Sequence, residues 1–203
     1  MITIIDYGMG NLGSVLNMFK KVGAQAKISS DLDEISKASK ILLPGVGAFD
    51  TAMQRINDAG MLAVLNQKAL IEKVPVLGIC LGMQLLTNSS EEGKLPGLGW
   101  IDGAAYNFKG RIDHTLRIPH MGWNIANIDQ KNEITSGYNG EIRFYFVHSY
   151  YVKVSNPINS MMQTTYGLSF DSAIVKDNIF GAQFHPEKSH KFGMQFFKNF
   201  AKI

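Results

Sequence analysis

The stretch that decides the fold is Val76-Leu-Gly-Ile-Cys80-Leu-Gly-Met-Gln-Leu-Leu86. Residues 76–79 form a short apolar run typical of a buried strand, and residues 81–86 have the apolar spacing of a helix. Between them, Gly78-Ile-Cys80-Leu-Gly82 matches the G-x-S-x-G turn of a nucleophile elbow, with sulfur in place of oxygen. Only small residues fit two positions before and after the centre of so sharp a turn. The stretch therefore predicts a nucleophilic Cys80 at the start of a helix, whose dipole favours an anionic sulfur.

The flanking sequence repeats the order of strand and helix. Before this stretch, strands are predicted at 2–6, 26–28 and 40–43, and helices at 11–22, 48–56 and 61–71. After it, strands are predicted at 143–147, 150–154, 162–166, 173–175 and 178–184, and a last helix at 189–201. Alternating strands and helices imply a parallel sheet with helices on both faces. We therefore expect an α/β fold of three layers, with a mostly parallel central sheet, flanking helices and an antiparallel β extension.

Length and composition limit the class of protein. A chain of 203 residues with 45% hydrophobic residues fits a single globular domain, here predicted to span 1–203. Its one cysteine cannot form an intrachain disulfide, which favours a reducing compartment. The net charge of +3 comes from scattered residues without a basic stripe, so nucleic-acid binding is not expected. No apolar run approaches the roughly 20 residues that span a bilayer. We expect a cytoplasmic protein that does not contact membranes.

A thiolate nucleophile requires a base, and Phe184-His185-Pro-Glu187 supplies a candidate at the end of the last predicted strand. Residues two apart on a strand point to the same side, so His185 and Glu187 are expected to project together. The carboxylate can then orient the imidazole and stabilise its cation. Cys80, His185 and Glu187 could instead bind a metal, but no metal-binding spacing supports that reading. Neither a metal nor a cofactor is predicted.

The segment Pro44-Gly-Val-Gly-Ala-Phe49 also follows a predicted strand and precedes a helix. Its glycines permit backbone conformations that are closed to other residues. The backbone N–H groups of Val46 and Gly47, together with that of Leu81, are predicted to form an oxyanion hole.

A different function is suggested by Gly8-Met-Gly10-Asn-Leu-Gly13, which has the G-x-G-x-x-G pattern of a dinucleotide site. Asp31 and Asp33 lie about 20 residues further on, where a ribose-binding carboxylate is expected. The pattern alone is a weak signal, because glycines at a strand-to-helix turn need only conformational freedom. A non-catalytic nucleotide-binding module remains the alternative from another class.

Taken together, six segments in their order resemble the class I (triad) glutamine amidotransferases over the whole chain. The segments are Asp6-Tyr-Gly-Met-Gly-Asn11, Pro44-Gly-Val-Gly-Ala-Phe49, Gly78-Ile-Cys-Leu-Gly-Met-Gln-Leu-Leu86, Pro119-His-Met-Gly-Trp-Asn124, Tyr145-Phe-Val-His-Ser-Tyr-Tyr151 and Gln183-Phe-His-Pro-Glu-Lys-Ser189. The resemblance implies that Cys80 is the nucleophile, His185 the base and Glu187 its orienting partner. It also implies that glutamine is held by Gly47, Gln84, Glu92 and the backbone of His148, Ser149 and Tyr150.

Within that family, the resemblance implies a partner. Similar members pass ammonia to a (β/α)8-barrel synthase subunit, which forms imidazole glycerol phosphate in histidine biosynthesis, and they hydrolyse glutamine weakly alone. The loop at 44–47 is the expected switch. Positions that match the partner-facing ones are Asn11, Pro119, His120, Met121, Gly122, Trp123 and Lys188.

Two alternatives keep the chemistry of the triad. Close relatives supply ammonia for amidation of a sugar precursor in surface polysaccharide synthesis, and the glutaminase motifs do not distinguish that acceptor. A cysteine peptidase or another acyl-transfer enzyme could use the same three residues.

Overall fold

The computed structural model describes residues 1–203 and contains thirteen strands and six α-helices. The strands are β1 (Ile2–Ile5), β2 (Ala26–Ser29), β3 (Lys40–Leu43), β4 (Val76–Ile79), β5 (Ser89–Ser90), β6 (Gly103–Asn107), β7 (His120–Ile125), β8 (Asn127–Ile128), β9 (Arg143–His148), β10 (Tyr150–Val154), β11 (Ser160–Tyr166), β12 (Leu168–Lys176) and β13 (Ile179–Ala182). The α-helices are α1 (Leu12–Lys21), α2 (Leu32–Ser36), α3 (Phe49–Asp58), α4 (Met61–Asn66), α5 (Leu81–Leu85) and α6 (His190–Lys202).

The central sheet has eight strands in the order β2-β1-β3-β4-β13-β12-β11-β8. The first five are parallel to one another, and the last three continue the sheet in antiparallel pairs. The predicted α/β fold with a parallel sheet and an antiparallel extension is confirmed.

Apolar side chains on both faces of the sheet explain the uninterrupted apolar strands. On β3, Leu42 packs into a cluster with Phe19 of α1 and Phe197 of α6. The neighbouring Leu43 points to the opposite face, where Phe49 of α3 belongs to the second cluster. Each cluster contains 25 buried residues, so the sheet is the middle layer of three. The buried phenylalanines of α6 belong to the first cluster: Phe196, Phe197 and Phe200.

Two small sheets lie outside the central one, in the orders β10-β6-β5 and β7-β9. Strands β9 and β10 were predicted, whereas β5, β6, β7 and β8 were not. The short helix α2 was also not predicted, and the expected helix at 61–71 is α4 followed by a π-helical turn, Gln67–Ile71. The last predicted strand, at 178–184, is shorter in the structure and ends at Ala182. No helix has both the length and the apolar character needed to cross a membrane.

Candidate active site

Cys80 occupies the turn between β4 and α5 with a strained backbone, at φ +55° and ψ −109°. A non-glycine residue with positive φ is uncommon, and such strain is concentrated at functional sites. Gly78 and Gly82, on either side of Cys80, are packed so closely against backbone atoms that no side chain fits. A Cβ on Gly82 would lie 1.9 Å from the Leu43 carbonyl oxygen, and one on Gly78 would lie 2.6 Å from that of Gly82. The sequence prediction of an elbow that requires small residues is confirmed.

His185 reaches the same edge of the sheet because β13 lies beside β4 and runs parallel to it. Its Nδ1 lies 2.7 Å from Oε1 of Glu187. Its Nε2 is buried without a hydrogen-bond partner, although His185 lines the same cavity as Cys80. The expected pairing of imidazole and carboxylate is therefore present, with the second ring nitrogen left for the chemistry.

The reason given from the sequence for that pairing was wrong. Strand β13 has already ended at His185, and Glu187 lies in a 3-10 turn, Pro186–Lys188. The 3-10 turn, and not the alternation of side chains along a strand, brings the Glu187 carboxylate to the His185 imidazole.

The environment of His185 favours its cation. Burial lowers the pKa of His185, but the neighbouring Cys80 sulfur and the Glu187 carboxylate outweigh that effect and raise the pKa to about 10. This raised pKa favours the protonated imidazole, which can give a proton to a leaving group.

A cavity of about 430 Å³ opens above Cys80. The predicted site residues among its lining residues are Val46, Gly47, Cys80, Leu81, Gln84, Glu92, Pro119, His148, Ser149, Tyr150, His185 and Lys188. These positions come from both halves of the chain, and the fold brings them to one cavity of a size suited to a small ligand. Glu187 lies behind His185 rather than at the cavity wall.

Two buried glutamines connect the cavity wall to the Cys80 sulfur. The Gln84 Nε2 donates to the Tyr150 carbonyl and to Oε1 of Gln183, each at 3.2 Å. The Gln183 Nε2 then lies 3.8 Å from the Cys80 sulfur, within reach of a weak hydrogen bond. Gln183 is fully buried, and the sequence prediction assigned it no role. Its position inside the motif around His185 was the only signal that could have identified it.

Glu92 lines the cavity but is already anchored by one oxygen. Its Oε2 accepts the backbone N–H of Phe49, the first residue of α3, at 2.9 Å. The carboxylate therefore ties the cavity wall to the loop that precedes α3.

The predicted oxyanion donors are only partly available in this conformation. The N–H groups of Val46 and Gly47 have no hydrogen-bond partner within the protein, and Gly47 has a φ of +113° that favours glycine. The N–H of Leu81, however, donates to the Gly45 carbonyl at 3.3 Å. The expectation that Leu81 completes an oxyanion hole is therefore not met by this loop conformation. The Tyr7 hydroxyl anchors the same loop by donating to the Pro44 carbonyl at 2.5 Å.

The predicted partner-facing residues are exposed with one clear exception. Met121 and Trp123 are 61% and 45% exposed, and Trp123 stacks on His190 with a centroid distance of 5.4 Å. His120 is only 3% exposed, because alternation along β7 turns it inward while its neighbours face outward. The interpretation of His120 as a surface contact was wrong. The remaining positions are at least partly exposed: Asn11, which caps α1, Pro119, Gly122 and Lys188.

The glycine-rich turn after β1 is used by the protein itself. The Gly8 carbonyl accepts a hydrogen bond from the Arg55 guanidinium. No atom lies within 4 Å of a Cβ built on Gly13. The third glycine of a dinucleotide fingerprint is needed for close packing of the helix on the strand, and no such packing occurs here. The Asp31 carboxylate caps α2 by accepting the Glu34 N–H at 2.8 Å. These contacts argue against the nucleotide-binding alternative.

The fold and the site together are those of an enzyme class with a cysteine at a strand-to-helix elbow and a histidine–glutamate pair at the same cavity. Residues 3–203 match the family model described as glutamine amidotransferase class-I, and the chain belongs to this family. It is 54% identical over 202 residues to imidazole glycerol phosphate synthase subunit HisH 2 of Methanococcus maripaludis, covering 100% of this chain and 99% of the relative. It is 51% identical over 203 residues to the subunit of the same name in Pseudomonas aeruginosa, with full coverage of both.

Solved structures agree in fold. A structure described as a glutamine amidotransferase has a TM-score of 0.76 at 14% identity, with 100% coverage of both chains. A chain of PurLQS from Thermotoga maritima has a TM-score of 0.73 at 17% identity, with coverage of 99% and 97%.

Proposed function

We propose that this chain is the glutaminase subunit of imidazole glycerol phosphate synthase, and that it hydrolyses L-glutamine to L-glutamate and ammonia. The observation that carries the proposal is the single cavity in which Cys80 and the partnerless Nε2 of His185 meet a set of polar groups suited to an amino acid. Full-length identities of 51% and 54% to subunits of that name support it. We also infer that residues 1–203 act as one domain.

The chemistry follows from the protonation state of the pair. His185 takes the thiol proton of Cys80 and becomes the imidazolium, and the sulfur attacks the side-chain amide carbon of glutamine and forms a C–S bond. As the C–N bond breaks, the His185 imidazolium gives its proton to the leaving ammonia. The neutral imidazole then takes a proton from water, which attacks the thioester and releases glutamate and the thiolate. Glu187 holds the ring by Nδ1 throughout and stabilises its cation.

The polar groups of the cavity fit the amino-acid end of glutamine. We assign the second carboxylate oxygen of Glu92 to the α-ammonium group, and the backbone of His148, Ser149 and Tyr150 to the α-carboxylate. The Ser149 N–H has no partner within the protein, which leaves it available for an anion. Gln84 and Gly47 complete the site.

We propose that the loop at 44–47 keeps the activity of the isolated chain low. With the Leu81 N–H bonded to Gly45, the oxyanion has fewer donors, and one such donor contributes about 10²- to 10³-fold to the rate. We propose that a partner rearranges this loop and frees the donor.

A partner is expected because ammonia is mostly protonated near neutral pH and loses its nucleophilicity in water. We propose a (β/α)8-barrel synthase subunit, which docks on the exposed Met121 and Trp123 with Asn11, Pro119, Gly122 and Lys188 around them. A single cysteine that must stay reduced supports a cytoplasmic location.

The experiment that tests this function is glutamate release by the chain with and without the candidate barrel subunit, with Cys80→Ala as control. Stimulation by the barrel subunit, absent in the control, is expected. Equal turnover by the isolated chain and the complex would contradict the partner-dependent mechanism.

Complementation of a histidine auxotroph tests the acceptor. Growth without histidine supports the proposed pathway. Failure to complement, together with restored surface polysaccharide in a mutant that lacks the sugar-pathway glutaminase, would show that the ammonia is used for amidation of a sugar precursor.

A further inference from the structure

A buried line of hydrogen bonds joins β7 to the wall of the candidate active site. The Asn124 Nδ2 lies 3.2 Å from Nε2 of His120. The Nδ1 of His120 lies 2.9 Å from Nε2 of His148, its cross-strand neighbour on β9. The Nδ1 of His148 lies 2.8 Å from the Tyr150 carbonyl oxygen. We call these four residues the histidine relay.

The direction of each hydrogen bond in the relay is determined by its two ends. The Tyr150 carbonyl can only accept, so His148 must carry its proton on Nδ1. Its Nε2 then accepts, which requires the proton of His120 to be on Nδ1 as well. At the other end, the Asn124 amide also donates to the Thr165 carbonyl at 3.0 Å, so the group that faces His120 is a donor. All links agree on one tautomer for each ring.

Burial favours the neutral form of the His120 and His148 imidazoles at pH 7. Burial lowers the pKa of His120 to about 4. Burial, together with the neighbouring His120, lowers the pKa of His148 to about 3. A neutral and fully satisfied buried network is rigid, because each group loses its partner if any member moves.

The relay acts on the cavity wall at Tyr150. The His148 Nδ1 bonds to the Tyr150 carbonyl, two residues further along the chain. This hydrogen bond fixes the backbone at Ser149, which lies at the bend between β9 and β10. The same carbonyl accepts from Gln84, whose amide leads through Gln183 to the Cys80 sulfur. A shift of the His148 ring would therefore move the groups assigned to glutamine.

The other side of β7 is the exposed partner face. Met121 and Trp123 point outward from the strand, and they alternate with His120 and Asn124, which point inward. The backbone of residues 120–124 connects the outer side chains directly to His120 and Asn124 of the relay.

We propose that His120 and His148 are positioning residues, which hold the glutamine-binding wall of the cavity and couple it to the partner face of β7. The inference rests on the proposed function and adds a route for its regulation. Neither ring has to touch the reacting atoms.

Kinetics of the complex with the barrel subunit test the relay by substitution at position 120. His120→Leu removes the donor to His148, whereas the amide of His120→Asn can replace the Nδ1–H. Loss of a buried hydrogen bond is expected to raise KM for glutamine about 10-fold in the leucine variant, with a smaller change in kcat. The asparagine variant should stay within about twofold of wild type, because it keeps the donor.

Two further variants control for packing and folding. Tyr166 stacks on His120 at a centroid distance of 4.1 Å, and its hydroxyl bonds outside the relay. Tyr166→Phe should therefore leave KM unchanged. If His120→Leu does not fold, Asn124→Leu at the half-buried end should raise KM in the same direction. Wild-type KM and stimulation in every folded relay variant would overturn the proposal.

Nitrogen-15 NMR of the imidazoles tests the relay without any turnover. At pH 7 both His120 and His148 should carry the proton on Nδ1, the less common tautomer in water. A proton on Nε2 of either ring would overturn the relay even if the enzyme is active. Absence of glutamate release by the wild-type complex would instead contradict the proposed function, and the tautomers would still decide the relay.

Discussion

Backbone strain at Cys80 can be measured by comparing alanine and glycine at that position. Both Cys80→Ala and Cys80→Gly remove the thiol, and only alanine keeps the Cβ that makes a φ of +55° unfavourable. The matched comparison is Ala52→Gly in helix α3, where residue 52 is also buried.

The magnitude follows from what the two sites share. At Ala52, glycine loses about 1 kcal/mol in helix propensity and about 0.8 kcal/mol for the buried methyl, or about 2 kcal/mol in total. At Cys80, which lies before α5, glycine costs about 0.4–1 kcal/mol through the entropy of the unfolded chain and about 0.8 kcal/mol for the methyl. Release of strain, about 1–3 kcal/mol for a residue in a sparsely populated conformation, opposes this cost. The change from alanine to glycine should therefore be more favourable at position 80 than at position 52 by about 1–3 kcal/mol.

Urea unfolding at pH 7 measures the free energy of unfolding of the wild type, Ala52→Gly, Cys80→Ala and Cys80→Gly. Both Cys80 variants should also lack glutaminase activity in the complex. If replacing alanine with glycine costs as much at Cys80 as at Ala52, the elbow stores no strain and the reasoning is refuted.

Three other predictions concern the site and its surroundings. Gly82→Ala should destabilise the protein by about 3 kcal/mol or more, because its Cβ would meet a backbone carbonyl of β3 at 1.9 Å; unfolding within 1 kcal/mol of wild type would contradict this. Near pH 5, His120 and His148 are protonated in the unfolded chain and neutral in the folded protein. These two groups should therefore lower the free energy of unfolding by about 2–3 kcal/mol per pH unit as the pH drops from about 6 to 4.5. His120→Asn should lower that slope by about 1.4 kcal/mol per pH unit, and an unchanged slope would count against a neutral buried ring. Glu187→Gln removes the charge that helps raise the pKa of His185, so kcat should fall about 10²- to 10⁴-fold while binding of the barrel subunit is unchanged; wild-type kcat would show that Glu187 does not support the base.

Local constraints made the elbow predictable from the sequence. The order of an apolar strand, a turn with two small residues around Cys80, and a helix has few structural solutions, and the structure adopts the expected one. The same reasoning located the strands that flank it, because strands buried on both faces are uninterrupted apolar runs.

Tertiary contacts account for what the sequence did not predict. Whether Leu81 offers its N–H depends on where the Gly45 carbonyl lies, and no local pattern specifies that distance. The inward direction of His120 follows from β7, a strand that was not predicted because it contains few β-branched residues. The role of Gln183 depends on Gln84, which is 99 positions away in the chain.

The nucleophilic role of Cys80 is tested most directly by rapid acid quench of the complex during glutamine turnover, followed by mass spectrometry of the cysteine peptide. A γ-glutamyl group on Cys80 is expected in the wild type, and in Cys80→Ser any adduct should be an ester formed far more slowly. Full turnover with no adduct on Cys80, or turnover that persists in Cys80→Ala, would contradict covalent catalysis by this sulfur.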